Sequence, residues 1–130
     1  MIVRKQAILA VLVAVGSIAL AGAAFAVQPG AGGDPARGKA VFEKRCTGCH
    51  ALDANREGPH LRGVFGRKAG SLPGFEFSAP MKASGITWDE ASLDKWLSDT
   101  DAMIPGNAMG FRLPKAAERA DIIAYLREQE

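Results

Sequence analysis

Apolar positions fall into two regimes along this chain. From Ala7 to Ala26 they form one nearly continuous run, broken by Gly16, Ser17 and Gly22. Beyond Asp34 they recur at helical spacing in three places. Gly38 and Phe42 lie four apart with Val41 alongside, on one face of a helix predicted from Pro35 to about Arg45. Leu93, Trp96 and Leu97 share one side of a second helix that stops near Ser98. Ile122, Ile123, Tyr125 and Leu126 give the apolar face of a third, from Lys115 to about Glu128. Each has a start signal. Asp34-Pro35 places an N-cap carboxylate before a proline at the first helical position. Thr87-Trp88-Asp89-Glu90 reads as a capping box with Thr87 as N-cap. Pro114 precedes the last helix. No stretch sustains strand alternation, so the fold class is all-α, with three to four short helices and long loops.

The intervening segments are unusual. Residues 51 to 86 hold nine glycines and prolines, and Asp99 to Leu113 is also expected to be irregular. Loops this long in a compact domain need something besides secondary structure to order them. Three helices of about a dozen residues bury little apolar surface. The pattern therefore predicts a large apolar group at the centre.

Composition adds an origin. The 130 residues suffice for one domain, and 48% hydrophobic with 23% charged residues is globular. Arg4 and Lys5, the apolar run and Ala24-Phe25-Ala26 have the layout of a secretory signal peptide. Residues 1–26 are read as that peptide, with an uncleaved membrane anchor as the alternative. Residues 27–33 are a flexible leader and 34–130 the domain. Removing Arg4 and Lys5 turns a net charge of +2 into 14 basic against 14 acidic side chains. No basic stripe remains, which excludes a nucleic-acid binder.

Cys46-Thr47-Gly48-Cys49-His50 carries the chemistry. C-x-x-C-H is the attachment signature of c-type haem. Two thiols one turn apart can each add across a vinyl group on the porphyrin edge, and the next residue is carried under the iron, where His50 can ligate it. Gly48 keeps the turn thin. A disulfide, a thioredoxin-like pair and half a zinc site are the alternatives. The redox pair lacks its βαβ context, and zinc lacks further ligands beyond His60. The second axial ligand has four candidates: Met81, Met103, Met109 and His60. His60 is ten residues beyond His50, a loop histidine on the same side. Met109 follows Ile104-Pro105-Gly106-Asn107-Ala108 in a loop that lets a thioether turn inward, with Met103 next in line. Core filling is the ordinary role of a methionine.

These motifs resemble class I cytochrome c, in the branch of mitochondrial cytochrome c and bacterial c2-type proteins. The resemblance runs from about Gly33 to Arg127. It rests on the C-x-x-C-H segment, Gly58-Pro59-His60-Leu61, Gly63 to Lys68, Pro73-Gly74-Phe75, Gly85 to Trp88, Ile104-Pro105-Gly106, Met109-Gly110-Phe111 and Arg119 to Leu126. It implies the cytochrome c fold around one covalent haem c held by Cys46 and Cys49, with His50 and Met109 as iron ligands. It implies that the Pro59 carbonyl accepts the His50 Nδ1–H bond, and that Arg67 and the Trp88 indole meet a buried haem propionate. It also implies that Gly38 and Phe42 pack against Ile122 and Tyr125. Phe77 and Met81 stand where the mitochondrial proteins have tyrosine and asparagine, Trp96 where they have tyrosine, and Ala108 where they have lysine.

The expected function is a soluble, monomeric, periplasmic one-electron carrier, not an enzyme. His/Met ligation fills both axial positions, and the thioether favours Fe(II). Lys39, Lys44, Lys68, Lys82 and Arg112 can supply a local positive field for brief docking. The expected partners are redox proteins: a cytochrome bc complex, a terminal oxidase, a reaction centre or a periplasmic dehydrogenase. A haem-bearing subunit or anchored module of a larger complex is the alternative. A peroxidase is disfavoured, because no distal acid–base pair is evident.

Overall fold

The computed structural model describes residues 32–130. The expected signal peptide and most of the 27–33 leader lie outside the described residues. Five helices follow in order: α1 (Pro35–Arg45), α2 (Ala79–Ala83), α3 (Glu90–Ser98), α4 (Thr100–Met103) and α5 (Ala116–Arg127). Among the described residues there is no strand, only an antiparallel bridge between Lys68 and Thr87. The all-α expectation holds. The three long helices are the expected ones, whereas α2 and α4 are single turns inside segments read as loop. Pro80 sits in the first turn of α2. The Asp99 side chain caps α4 by accepting the Ala102 N–H at 3.1 Å.

Helix starts follow local chemistry, with one correction. Asp34 Oδ1 accepts the Ala36 and Arg37 N–H groups at 2.8 and 3.0 Å, as the N-cap reading required. The cap of α3 is not Thr87. The Thr87 backbone is committed to its bridge with Lys68, and Trp88 N–H donates to the Arg67 carbonyl at 2.9 Å. The chain turns helical two residues later. Asp89 Oδ1 accepts the Ser92 N–H at 2.8 Å, and Ser92 Oγ accepts the Asp89 N–H at 2.8 Å, so Asp89 and Ser92 form the capping box. Glu90 is only the first helical residue. Lys115 occupies the N-cap position of α5 without a side-chain cap.

α1 and α5 cross at Gly38. A Cβ there would overlap the Asp121 carbonyl and lie 2.8 Å from Tyr125 Cβ, so only glycine lets the backbones approach this closely. Phe42 and Tyr125 pack beside the crossing with ring centroids 5.4 Å apart. Gly33 already packs against the Ala120–Asp121 backbone. Buried Asp121 latches the start of α1: its carboxylate accepts the Asp34 N–H at 2.7 Å and Arg37 Nε–H at 2.9 Å. Arg119 of α5 donates to Asp94 of α3 at 2.7 Å and to the Leu113 and Pro114 carbonyls, both at 2.9 Å. At the other end of α5, Arg127 stacks 4.8 Å over the Phe65 ring. One apolar cluster joins these parts, including Phe42, Val64, Trp88, Leu93, Trp96, Leu97, Leu113, Ile122, Ile123 and Leu126. Each such side chain contributes about 1.5–3 kcal/mol on burial. Among the described residues no helix is long and apolar enough to cross a membrane.

Candidate functional site

The C-x-x-C-H turn grows directly from α1. Cys46 is its C-cap, donating its N–H to the Phe42 carbonyl at 2.8 Å. The Cys46 carbonyl then accepts the N–H groups of Cys49 at 3.1 Å and His50 at 2.9 Å. A single tight turn thus carries both sulfurs and the imidazole. The thiols are free: Cys46 is partly buried against the core and Cys49 is exposed. Burial pushes the Cys46 thiol up to about 11, so it is neutral at pH 7. At Gly48 a Cβ would meet no protein atom within 4 Å, so the protein's own packing does not require glycine there.

His50 is only 8% exposed, and its orientation is fixed. Its Nδ1 lies 2.8 Å from the Pro59 carbonyl. A carbonyl only accepts, so in the neutral imidazole Nδ1 carries the proton and Nε2 keeps the lone pair. Gly58 covers the ring: a Cβ there would overlap the imidazole, 2.6 Å from Nδ1 and 2.8 Å from Nε2. Gly58 N–H in turn donates to the Cys49 carbonyl at 2.8 Å, tying the cover to the attachment turn. The close approach of Gly58 was missed from sequence, although its place beside Pro59 was the available signal.

Arg67 and Trp88 come together through the backbone pairing of residues 66–69 with 86–88. The Arg67 guanidinium donates to the Arg62 and His60 carbonyls, both at 3.1 Å, and not to a carboxylate among the described residues. Burial holds its pKa below the usual guanidinium value. It is a partly desolvated cation with capacity left for an anion. The Trp88 indole is buried against Trp96, ring centroids 5.6 Å apart. Trp96 and Met81 belong to the core, and Phe77 packs edge-on against Phe75 at 4.8 Å. The replacements at 77, 81 and 96 are therefore absorbed as apolar packing.

The candidate sixth ligands separate by environment. Met81 is buried and fills space. Met103 is partly buried against the core. His60 is a loop residue whose N–H donates to Asn55 Oδ1 at 2.9 Å. Met109 is 36% exposed, the one large apolar side chain so exposed among the described residues. It sits on a strap whose backbone is bonded on both sides, to Asn107 and to Thr100. Neither tether was read from sequence. The Asn107 tether is a local side-chain turn that the sequence could have signalled; Thr100 depends on a contact eleven residues away.

These residues fit a covalently attached haem. Two unpaired thiols stand on one turn, an imidazole has its Nε2 lone pair free, a thioether lies on a separate strap, and a cation awaits an acidic group. Of the cations proposed for docking, Lys39, Lys82 and Arg112 pair with Glu43, Glu76 and Asp99. Lys44 and Lys68 make no ion pair among the described residues.

Comparison with known proteins points the same way. A family model described as cytochrome c matches residues 35–130. A cytochrome c2 of Rhodomicrobium vannielii is 46% identical over 118 residues, covering 86% of this chain and 94% of that protein. A cytochrome c2 iso-2 of Magnetospirillum fulvum is 51% identical over 85 residues, covering 63% and 88%. Among solved structures, cytochrome cH from Methylobacterium extorquens superposes with a TM-score of 0.71 at 42% identity, covering 74% of this chain and 99% of that one.

Proposed function

The chain belongs to the cytochrome c family, and from that premise we propose a soluble periplasmic one-electron carrier with a single haem c whose iron takes His50 and Met109 as axial ligands. The family assignment carries covalent haem c and electron carriage with it, and Cys46 and Cys49 are the two thiols in the required spacing. The observation that carries the His50 reading is the Pro59 carbonyl on its Nδ1, which leaves Nε2 as the donor nitrogen on the turn that holds both thiols.

When bound, haem c supplies a reversible Fe(III)/Fe(II) couple. The protein's own residues do the rest. The hydrogen bond from His50 to Pro59 fixes the ring and raises its basicity. Gly58 keeps the ring from turning. Met109 offers a neutral soft donor that favours the reduced state. Arg67 places positive charge where a propionate needs a partner. Trp88, Trp96, Met81 and Leu97 are buried in the apolar core and would exclude water from a haem packed against it. Export rests on the pattern of residues 1–26. The partners are redox proteins: a cytochrome bc complex, a terminal oxidase, a photosynthetic reaction centre or a periplasmic dehydrogenase. Docking is brief, small in area and partly electrostatic, with Lys44 and Lys68 the two of the five docking cations that make no ion pair among the described residues.

The test is made on holoprotein purified from periplasm. Its mass should equal residues 27–130 plus one haem, and retention of residues 1–26 would instead make it an anchored module. Met109→Ala should lower the potential on the order of 0.1–0.3 V, a fraction of the ~0.8 V that axial ligands span. It should also let added imidazole reach the iron. An unchanged potential with unchanged ligand exclusion would remove Met109 and leave Met103 as the candidate.

A further inference from the structure

The strap that presents Met109 is held by two polar side chains outside the haem-binding set. Thr100 is fully buried, at 0% exposure, in a predominantly apolar core. Its Oγ1 accepts the Phe111 N–H at 2.8 Å and donates to the Phe111 carbonyl at 3.2 Å. The Thr100 N–H donates to that same carbonyl at 3.2 Å. Both backbone polar groups of Phe111, two residues past Met109, therefore end on Thr100. On the other side, Asn107 Oδ1 accepts the N–H groups of Met109 at 2.8 Å and Gly110 at 3.2 Å. Asn107 Nδ2 donates to Asp101 Oδ1 and the Ile104 carbonyl, both at 2.9 Å. Each tether is itself anchored on or beside α4, so the four-residue helix acts as a post for the strap.

The neighbours of Met109 on the strap are Ala108 and Gly110, which offer no apolar anchor. We infer that Thr100, with Asn107, is a positioning residue that holds the Met109 thioether in place against withdrawal and displacement. The inference rests on Met109 being an iron ligand. A buried threonine hydroxyl is a costly choice unless it satisfies a partner, and here it satisfies a backbone N–H that valine, of nearly the same shape, would leave unbonded.

The experiment titrates the ferric holoprotein with imidazole and measures its potential, in the parent and in Thr100→Val, Thr100→Ser, Asn107→Ala and Met109→Ala. Thr100→Val should bind imidazole about tenfold more tightly, with a lowered potential and a weakened far-red band of the thioether–iron bond. Thr100→Ser keeps the hydroxyl and should stay within about twofold of the parent. In the Met109→Ala background, Thr100→Val should add nothing, because no thioether remains to be displaced. Should Thr100→Val not fold, Asn107→Ala makes the same test from the more open side of the strap and should also tighten imidazole binding. Parent-like imidazole affinity in Thr100→Val, or in Asn107→Ala if it stands in, while Met109→Ala binds tightly, overturns the inference and leaves the ligand reading intact. Parent-like affinity in Met109→Ala overturns the ligand reading itself.

Discussion

Gly38→Ala sets two effects of known size against each other. In an isolated helix the change should stabilise by about 1 kcal/mol, since alanine is the better helix former. At this site the added Cβ overlaps the Asp121 carbonyl and comes to 2.8 Å from Tyr125 Cβ. The first of these is backbone and the second is a Cβ, so no rotamer change relieves them and α5 must move as a body. Overpacking of this kind costs about 1–3 kcal/mol and occasionally more. Moving α5 also disturbs the Asp121 bonds to Asp34 and Arg37 and the Phe42–Tyr125 contact. The net expectation is a loss of about 2 kcal/mol or more. With a guanidinium slope of ~4 kcal/mol/M, the unfolding midpoint of the holoprotein should fall by about 0.5 M. Ala40→Gly, on an exposed position of the same helix, should show only the ordinary propensity loss of about 1 kcal/mol. A Gly38→Ala protein as stable as the parent, or more stable, would mean that the two helices do not meet as closely as described.

Two further outcomes follow from polar contacts. The Arg37 guanidinium, aided by the Asp34 N–H, holds the Asp121 carboxyl below its ordinary 3.8. A depressed folded-state value stabilises the fold above the unfolded carboxyl's range, and that contribution is lost as pH falls through the lower folded value. Holoprotein stability measured by denaturant from pH 6 down to pH 2 should therefore decline more steeply in the parent than in Asp121→Asn; parallel curves would remove Asp121 from the acid response. Ser92→Ala should cost about 0.5–1.5 kcal/mol by breaking the box with Asp89, whereas Thr87→Val should change stability by less than ~0.5 kcal/mol. A larger loss at Thr87, read in the same unfolding assay, would restore the cap to that residue.

What could be read from the sequence was whatever a few adjacent residues decide. The α1 cap at Asp34, the attachment turn of Cys46, Cys49 and His50, and the three amphipathic faces are all of this kind. The α3 cap was misplaced because Thr87-x-x-Glu90 and Asp89-x-x-Ser92 are both acceptable boxes. The choice is made by Lys68, nineteen residues earlier, whose bridge keeps Thr87 extended. The α4 turn was passed over because four residues carry no periodicity, though Asp99 before Thr100 was a usable cap signal. Thr100 itself was unreadable: nothing around it announces a hydroxyl whose partner is Phe111. His50 with Pro59 was readable only through family resemblance, since a carbonyl nine residues away leaves no mark in side-chain chemistry.

The long middle of the chain was expected to need a bound group to order it, and the contacts show that polar side chains carry part of that task. Buried backbone carbonyls and N–H groups must find partners, and the described residues have five helices and a single bridge to supply them. Side chains substitute. Arg67 takes the Arg62 and His60 carbonyls, and Arg56 takes the Thr47 carbonyl. Asn55 takes the His60 N–H and the Gly74 carbonyl, and Arg119 takes those of Leu113 and Pro114. His50, Thr100 and Asn107 do the same at the site. A loop held this way is set residue by residue, by groups that each reach one backbone position. That suits a member of the cytochrome c family: the attachment turn and the Met109 strap are each fixed to the frame by named bonds, the turn at the end of α1 and the strap on Thr100 and Asp101 of α4. The loops of this scaffold thus draw polar order from side chains as well as from any group bound at the centre.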